Sequence, residues 1–361
     1  MKKSLVFLLL FLGITNVSAY EISTDNGQNY TYFDDYKETL CQSSKKFGTI
    51  KFRNNEIINN NIINYYCEFD DPAAALATLK DQYKDALNYL KDFYHLEELD
   101  SQNWNSYYVA SQKDGNTKFY NEYLNIRSFF DTYENTDKNN QINDLIASDD
   151  NSLEKLKNLD MLIPDYNKKL VNDAYEITPF ATQIFNVSTG VSYAERYAWN
   201  PNSGQYGDVG ADCTNFASQI LENGGYNQVW GLTNRLGWWY KNNNGSFSYS
   251  WSWVNADKFL KYWGIKNYYY DFEQFSRNVQ VGDFIVLDEN DDGDYNHAGF
   301  ITYKANSLST HTINGNVILN YYDFIVAQHT NNYNSWISED NNGWENGVLT
   351  NTRYAIVNIN K

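Results

Sequence analysis

The sequence predicts an α+β protein, with a mostly helical region first and then a half that combines helices with an antiparallel sheet. In the second half, two β-prone apolar segments, residues 281–287 and 297–303, flank a short acidic loop and should pair as a hairpin. A segment with helical spacing begins at Cys213 and ends at Gly224 and Gly225. In the first half, apolar residues recur at the spacing of amphipathic helices.

The first residues have the features of a cleavable secretory signal. Lys2 and Lys3 precede an apolar run over residues 5–12, and Ala19 closes a stretch of small residues that suits cleavage. The run is too short to span a bilayer. We therefore expect residues 1–19 to be a signal peptide, the mature protein to be secreted, and no segment to insert into a membrane.

Residues 20–175 are predicted to form a mostly helical accessory domain. Pro72 follows a capping aspartate and should start a helix, and a second helix is predicted over residues 118–133. Residues 134–151 are polar without apolar periodicity, which predicts a loop or linker. We expect this domain to pack on the other half of the chain or to position it. The alternative is a pro-region that covers the catalytic groove of the other half.

The cysteines divide by their positions in the chain. Cys41 and Cys67 lie in the first half, whereas Cys213 is the third of three and stands in the second. Because secretion permits disulfides, we predict a Cys41–Cys67 bridge and a free Cys213. Two unpaired buried cysteines are the alternative.

Cys213 and His297 have the positions that a thiol nucleophile and its base require. Asp212 is a good N-cap, so Cys213 falls in the first helical turn, where unpaired N–H groups and the helix dipole favour the thiolate. The same N–H groups suit an oxyanion. His297 opens the strand after the acidic loop and is predicted to act as the base. A buried inert cysteine and an ordinary turn histidine are the alternatives.

The C-terminal half resembles a known family. The resemblance rests on residues 212–219, residues 238–240 and 250–256, Gly282-Asp283, His297 and Gln328-His329-Thr330. These segments are similar to an amidase domain family of the papain-like cysteine peptidase superfamily, which also contains NlpC/P60 and CHAP enzymes. The resemblance covers residues 186–361 and implies a papain-like fold, with a helix-borne Cys213 packed on an antiparallel sheet that carries His297.

The resemblance implies a cysteine amidase or peptidase that hydrolyses an amide bond, in cell-wall peptide or in a protein, without a required cofactor. By analogy, the residue that orients the histidine follows on the next strand, which gives that role to His329, with Asn331 as the alternative. Asn296 departs from the family pattern, in which an aspartate is expected before the histidine.

Two other functions fit part of this pattern. A catalytically inactive module on the same scaffold would hold a glycan or peptide on its aromatic surface. A zinc hydrolase would use Cys213, His297 and His329 as metal ligands. The intact cysteine and histidine favour the enzyme, and the sequence has no close metal-binding spacing such as Cys-x-x-Cys.

The acidic loop before His297 fits the start of a calcium loop. Oxygen-bearing side chains alternate along it, at Asp288, Asn290, Asp292 and Asp294. The twelfth position is Gly299 rather than a bidentate glutamate, so any calcium affinity should be weak. A solvated turn is the more common outcome for such a loop.

The charge of the chain limits its partners. A net charge of −17 argues against nucleic acid, whose phosphates require a basic surface, and against anionic membranes or walls bound by charge alone. The chain has 32 tyrosines and 10 tryptophans, whose rings suit sugar and peptide surfaces. We therefore expect a peptide or peptidoglycan-like substrate.

Overall fold

The computed structural model describes residues 40–54, 56–58, 61–114, 119–148, 158–159, 161–164, 183–207, 212–231, 234–313, 317–339, 344–349 and 352–361. The protein is a mixed α and β structure whose largest sheet is antiparallel. The predicted signal peptide lies outside the described residues. Within the described ranges, no helix is long and apolar enough to cross a membrane.

The first half contains short strand pairs followed by helices. Its strands are β1 (Ile50–Lys51), β2 (Glu56–Ile58), β3 (Asn61–Ile63) and β4 (Glu68–Phe69), with β1 paired to β4 and β2 to β3. Its helices are α1 (Pro72–Gln82), α2 (Lys84–Phe93), α3 (Trp104–Lys113) and α4 (Tyr120–Ala147). The predicted start at Pro72 is confirmed, because the Asp71 side chain accepts a hydrogen bond from the Ala74 N–H at 3.0 Å.

Helix α4 is longer than the sequence predicts. Residues 134–147, predicted as a loop or linker, continue the helix without a break. Asn135 and Asn139 on this stretch are fully buried, and they bond to the backbones of Cys67 and Tyr66. Because the buried Asn135 and Asn139 meet polar partners, the first part of this stretch has no apolar stripe, and apolar periodicity does not detect it.

The predicted disulfide between Cys41 and Cys67 is confirmed. It joins the 3-10 turn Gln42–Ser44 to the segment just before β4, and both half-cystines are fully buried. Cys213 is a free, buried cysteine.

The second half contains the large sheet and the helices that cover it. Its helices are α5 (Val187–Tyr197), α6 (Ser203–Tyr206), α7 (Cys213–Asn223), α8 (Trp251–Val254), α9 (Ala256–Trp263) and α10 (Phe272–Asn278). Its strands are β5 (Val229–Trp230), β6 (Gly237–Trp238), β7 (Tyr240–Asn243), β8 (Ser246–Tyr249), β9 (Ile265–Tyr269), β10 (Phe284–Asp288), β11 (His297–Ile313), β12 (Val317–Gln328), β13 (Tyr333–Trp336) and β14 (Arg353–Val357). Six of these strands form one antiparallel sheet in the order β13-β12-β11-β10-β14-β9.

Both faces of this sheet are buried at strand β10. On β10, Phe284 and Val286 belong to the core shared with helix α7, while Ile285 and Leu287 belong to the core on the opposite face, which includes Phe275 of α10. Successive side chains of a strand point to opposite faces, which accounts for the unbroken apolar run in the sequence. The sheet therefore supports a helix on each side.

The helix that begins at Cys213 and the hairpin that carries His297 are both confirmed. Helix α7 ends at Asn223, before Gly224, and it packs against the sheet. Strands β10 and β11 pair antiparallel, with Leu287 opposite His297. The fold thus brings the start of a helix close to the start of a strand.

Candidate active site

Asp212, the residue before Cys213, is held by several side-chain contacts. Asp212 occupies the predicted N-cap position, but its carboxylate does not cap the helix. Instead its Oδ1 accepts from Asn215 Nδ2 at 2.7 Å, and its Oδ2 lies 2.5 Å from His329 Nδ1. The Asp212 N–H donates to Thr330 Oγ1 at 2.7 Å. These contacts hold Cys213 at the first position of α7.

Cys213 and His297 interact so that their charged forms stabilise each other. Burial acts to raise the pKa of the Cys213 thiol, but the charge and hydrogen bond of His297, with Thr214 and the Ala298 backbone, hold that pKa below its ordinary value. Burial acts to lower the pKa of His297, but the Cys213 thiolate and the hydrogen bond to Gln328 raise it above its ordinary value. The site therefore favours a thiolate beside an imidazolium.

Gln328 fixes which nitrogen of His297 faces the thiol. Its Oε1 lies 2.7 Å from His297 Nε2 and also accepts from Trp344 Nε1 at 2.7 Å. An indole N–H can only donate, so Trp344 requires the amide oxygen on that side. This oxygen then accepts from the N–H at Nε2 of His297, which leaves Nδ1 to face Cys213.

The residue predicted to orient His297 is engaged elsewhere in the structure. Both ring nitrogens of His329 have other partners, Asp212 Oδ2 and the Tyr197 carbonyl at 2.9 Å. Its ring stacks on Phe216 of α7, with ring centroids 3.7 Å apart. The position next to His297 belongs to Gln328 instead of His329.

The alternative orienting residue, Asn331, reaches the site through its backbone. Its carbonyl lies 3.4 Å from Gln328 Nε2, and the Thr330 carbonyl lies 3.3 Å from the same nitrogen. Thr330 and Asn331 have φ values of 59° and 65°, which turn the chain back at this point. The turn therefore supports the amide of Gln328.

Strand geometry contains the signal that distinguishes Gln328 from His329. The register that pairs Phe300 with Ala327 puts the side chains of Gln328 and His297 on the same face of the sheet. Both side chains contact Trp344. His329, the next residue, falls on the opposite side and packs against α7. The alternation of side chains along β12 puts Gln328 and His329 on opposite faces, but the sequence does not state which of them faces His297.

We expect His329→Phe to destabilise the protein without removing a group from the Cys213–His297 pair. Phenylalanine keeps a ring against Phe216 but leaves the Asp212 carboxylate and the Tyr197 carbonyl without their donor. The expected loss is roughly 3 kcal/mol in the free energy of unfolding, measured by urea denaturation. His311→Phe is the matched control, since His311 stacks on Tyr321 with ring centroids 4.0 Å apart, but only partly buried. Equal stability of the two variants would contradict a structural role for His329.

The acidic loop before His297 is buried, although the sequence favoured a solvated turn. Its carboxylates and amide are at most 3% exposed, at Asp288, Asn290, Asp292 and Asp294. Arg353 Nη2 lies 2.9 Å from Asp288 Oδ2, and Lys138 of α4 pairs with Asp294. The sequence did not reveal this burial, because the covering residues come from the distant helix α4.

These contacts add no further calcium ligand to the loop, so the calcium site remains a prediction. The amide of Asn290 lies 3.2 Å from both Asp288 Oδ1 and Asp292 Oδ1, at hydrogen-bonding distance. Asp288 Oδ1 also accepts from the Asp292 N–H at 3.1 Å. A melting curve with millimolar calcium would test the hypothesis.

We expect the stability of the protein to fall between about pH 4 and about pH 7. Burial, followed by the repulsion of Asp291, raises the pKa of Asp288 from 3.8 to about 7, against the opposing effect of Arg353. The folded state therefore holds a proton that the unfolded chain releases above about pH 4, so raising the pH favours unfolding. Burial also raises the pKa of Asp292 well above its ordinary value. Melting temperatures across this range check the slope, and Asp288→Asn should flatten it; a rise in stability with pH would contradict the assignment.

Four tryptophans of the second half separate into two groups. Trp238 and Trp253 are fully buried, and their indole N–H groups donate to polar side chains of α7. Trp230 is 60% exposed and stacks on Trp239, with ring centroids 5.2 Å apart. The first pair supports the helix of Cys213, whereas the second offers an aromatic surface to solvent.

The zinc alternative receives no support from side-chain geometry. In the ranges that the structure describes, the only group of His, Cys, Asp and Glu atoms with ligand spacing is Cys41, Cys67 and Asp292. Two of these three residues form the disulfide and cannot bind as thiolates. Cys213, His297 and His329 do not make such a group.

Part of the second half of the chain matches a described domain family. Residues 185–354, which include Cys213 and His297, match the family described as "Putative amidase domain". A stretch of 123 residues is 34% identical to the uncharacterized protein YhbB of Bacillus subtilis (strain 168), over 32% of this chain and 36% of the relative. The chain thus aligns with only about a third of that relative. No solved structure gives a significant match.

The family match agrees with part of the sequence prediction. It supports an amidase domain in the second half of the chain, and its description indicates amide hydrolysis. The helical first half lies outside the matched residues.

Proposed function

We propose that the chain is a cysteine-dependent amidase in which Cys213 is the nucleophile and His297 the base. The observation that carries the proposal is the mutual stabilisation of the charged Cys213 and His297, with His297 held by the Gln328 oxygen at 2.7 Å. A nucleophile, a base and a third group that orients the base are the arrangement that covalent acyl transfer needs. Gln328 takes the third position in this proposal.

The fold of the site supports a papain-like architecture. Helix α7 begins with the nucleophile and packs on an antiparallel sheet, and adjacent strands β11 and β12 carry His297 and Gln328. The cysteine precedes the histidine, and the histidine precedes the orienting residue, in the chain. This arrangement supports our proposal that the second half of the chain belongs to the papain-like superfamily.

The proposed reaction proceeds in two steps. The Cys213 thiolate attacks the amide carbonyl carbon, a C–S bond forms, and backbone N–H groups at the start of α7 stabilise the oxyanion. When the C–N bond breaks, the His297 imidazolium donates its proton to the leaving amine, and a thioester remains. His297 then takes a proton from water, which attacks the thioester, releases the carboxylic acid and restores the thiolate.

We further propose that the enzyme is secreted and that its substrate is an amide bond in cell-wall peptide or another peptide. A Cys41–Cys67 disulfide is favoured in an oxidising compartment, which supports export. The exposed Trp230–Trp239 pair offers a surface for a sugar or peptide. With a net charge of −17, the protein would be repelled by a polyanionic wall. Contacts with the substrate through uncharged aromatic side chains avoid this repulsion.

Mass spectrometry of reaction products tests the proposed function. The purified full-length chain is incubated with peptidoglycan fragments and, separately, with a peptide library, and new amine and carboxylate ends are located. We expect cleavage at an amide bond that iodoacetamide pretreatment prevents and chelation does not. Cleavage that survives alkylation of Cys213 would contradict the cysteine mechanism.

A further inference from the structure

Helix α4 of the first half lies against the loop that leads into His297. This loop, residues 289–296, is here called the histidine loop. Arg127 Nε lies 3.3 Å from Glu289 Oε2, Asn135 Nδ2 donates to Asp292 Oδ2 at 2.8 Å, and Lys138 Nζ pairs with Asp294. The spacing of the three α4 residues puts them on one face of the helix. This face therefore contacts the histidine loop at its beginning, middle and end.

The base of the histidine loop is joined directly to His297. The Glu289 N–H donates to Asn296 Oδ1 at 3.0 Å, and the Asn296 N–H donates to the Leu287 carbonyl at 2.8 Å. Leu287 pairs with His297 across the hairpin. A movement of the loop consequently moves the residue before His297 and changes the approach of its ring to Cys213.

Asn135 connects the histidine loop to the disulfide region. Its Nδ2 lies 2.9 Å from the Cys67 carbonyl as well as 2.8 Å from Asp292 Oδ2. The disulfide fixes Cys67 within the first half, and Asn135 is fully buried. Asn135 thus ties the loop to a covalently fixed part of the chain.

Lys138 supplies the positive charge that the end of the loop needs. Its ammonium pairs with Asp294 of the loop and with Glu134 of its own helix. Asp294 is only 3% exposed, and a buried carboxylate without a cation is costly. The second half of the chain alone would leave this carboxylate without Lys138.

We propose that Asn135 and Lys138 are positioning residues of the active site, through which helix α4 holds the histidine loop and sets His297 against Cys213. The first half of the chain then contributes residues that position the catalytic pair. This inference rests on the proposed function, because it assumes that His297 activates Cys213.

The test measures the reactivity of Cys213 and needs no substrate. With Cys41 and Cys67 in a disulfide, Cys213 is the remaining one of three cysteines, so iodoacetamide labels a defined site. The labelling rate at roughly pH 6 is divided by the rate at roughly pH 9, where any thiol of ordinary pKa of about 8.5 is mostly ionised. The ratio reports how well His297 stabilises the thiolate and cancels differences in access.

Asn139→Ala is the matched control for Asn135→Ala. Both asparagines are fully buried on α4, but the hydrogen bonds of Asn139 within the described residues go to Tyr66 and Glu68 instead of the histidine loop. We expect Asn135→Ala to lower the labelling ratio about tenfold, equal to a one-unit rise in the thiol pKa. Asn139→Ala should lower the melting temperature by a similar amount and leave the ratio unchanged.

Lys138 provides a second arm with a conservative rescue. Lys138→Gln should lower the ratio, whereas Lys138→Arg keeps a cation beside Asp294 and should restore it. If Lys138→Gln does not fold, the asparagine pair still decides the question. An unchanged ratio in Asn135→Ala, or equal changes in Asn135→Ala and Asn139→Ala, would overturn the inference. An ordinary thiol pKa in the wild-type protein would overturn the proposed function instead, and the inference with it.

Discussion

Replacing Cys213 with alanine is expected to abolish amide hydrolysis and leave the fold intact. In the proposed mechanism the Cys213 sulfur forms the bond of the acyl intermediate. Its loss should therefore lower turnover by roughly 10⁴-fold or more. Alanine fits the site without a new polar group, and Cys213 itself is 4% exposed within the core. Turnover of the cleaved substrate and a melting curve are the two measurements.

Cys213→Ser is the matched variant for this result. A serine hydroxyl keeps the size of the thiol but does not ionise beside His297, so the variant should be nearly as inactive as Cys213→Ala. A fully active alanine or serine variant would contradict the cysteine mechanism. Loss of activity accompanied by unfolding in both variants would show a packing role for Cys213.

Replacing Gln328 with alanine should produce the second large effect. The change removes the acceptor of His297 Nε2, so the ring is free to take the tautomer that offers no lone pair to Cys213. Turnover should fall at least about tenfold, less than in Cys213→Ala, since the thiolate–imidazolium pair partly survives. The KM should change little, because Gln328 lies behind His297.

The pH profile separates this role of Gln328 from simple damage. The hydrogen bond that His297 donates to Gln328 helps to raise the pKa of His297, so its loss should move the alkaline limb of activity to lower pH. Gln328→Glu is the comparison, because a carboxylate stabilises the imidazolium more strongly and should move the same limb to higher pH. An alkaline limb that stays in place in both variants would refute the orienting role.

The sequence predicted the helix at Cys213 and the hairpin that carries His297, because their signals are local. The glycines after α7 and the apolar segments around the acidic loop define a helix and a hairpin without reference to distant residues. The helix start at Pro72 and the Cys41–Cys67 pairing follow equally from local or compositional signals. These predictions needed no knowledge of tertiary contacts.

The features that the sequence did not predict depend on contacts between distant parts of the chain. The C-terminal part of α4 is polar because Asn135 and Lys138 meet the histidine loop, and that loop is buried because α4 covers it. Each segment suggests exposure when considered alone. The choice between Gln328 and His329 likewise depends on strand register, which a single sequence does not state.

The contact between α4 and the histidine loop also bears on the order of folding. Because α4 and the Cys41–Cys67 disulfide precede the acidic loop in the chain, the first half can fold before the loop joins it. The loop can then bury its carboxylates against a surface that already carries Lys138, instead of waiting for a cation that would arrive later. The first half would in this way serve as a template on which the catalytic half completes its fold.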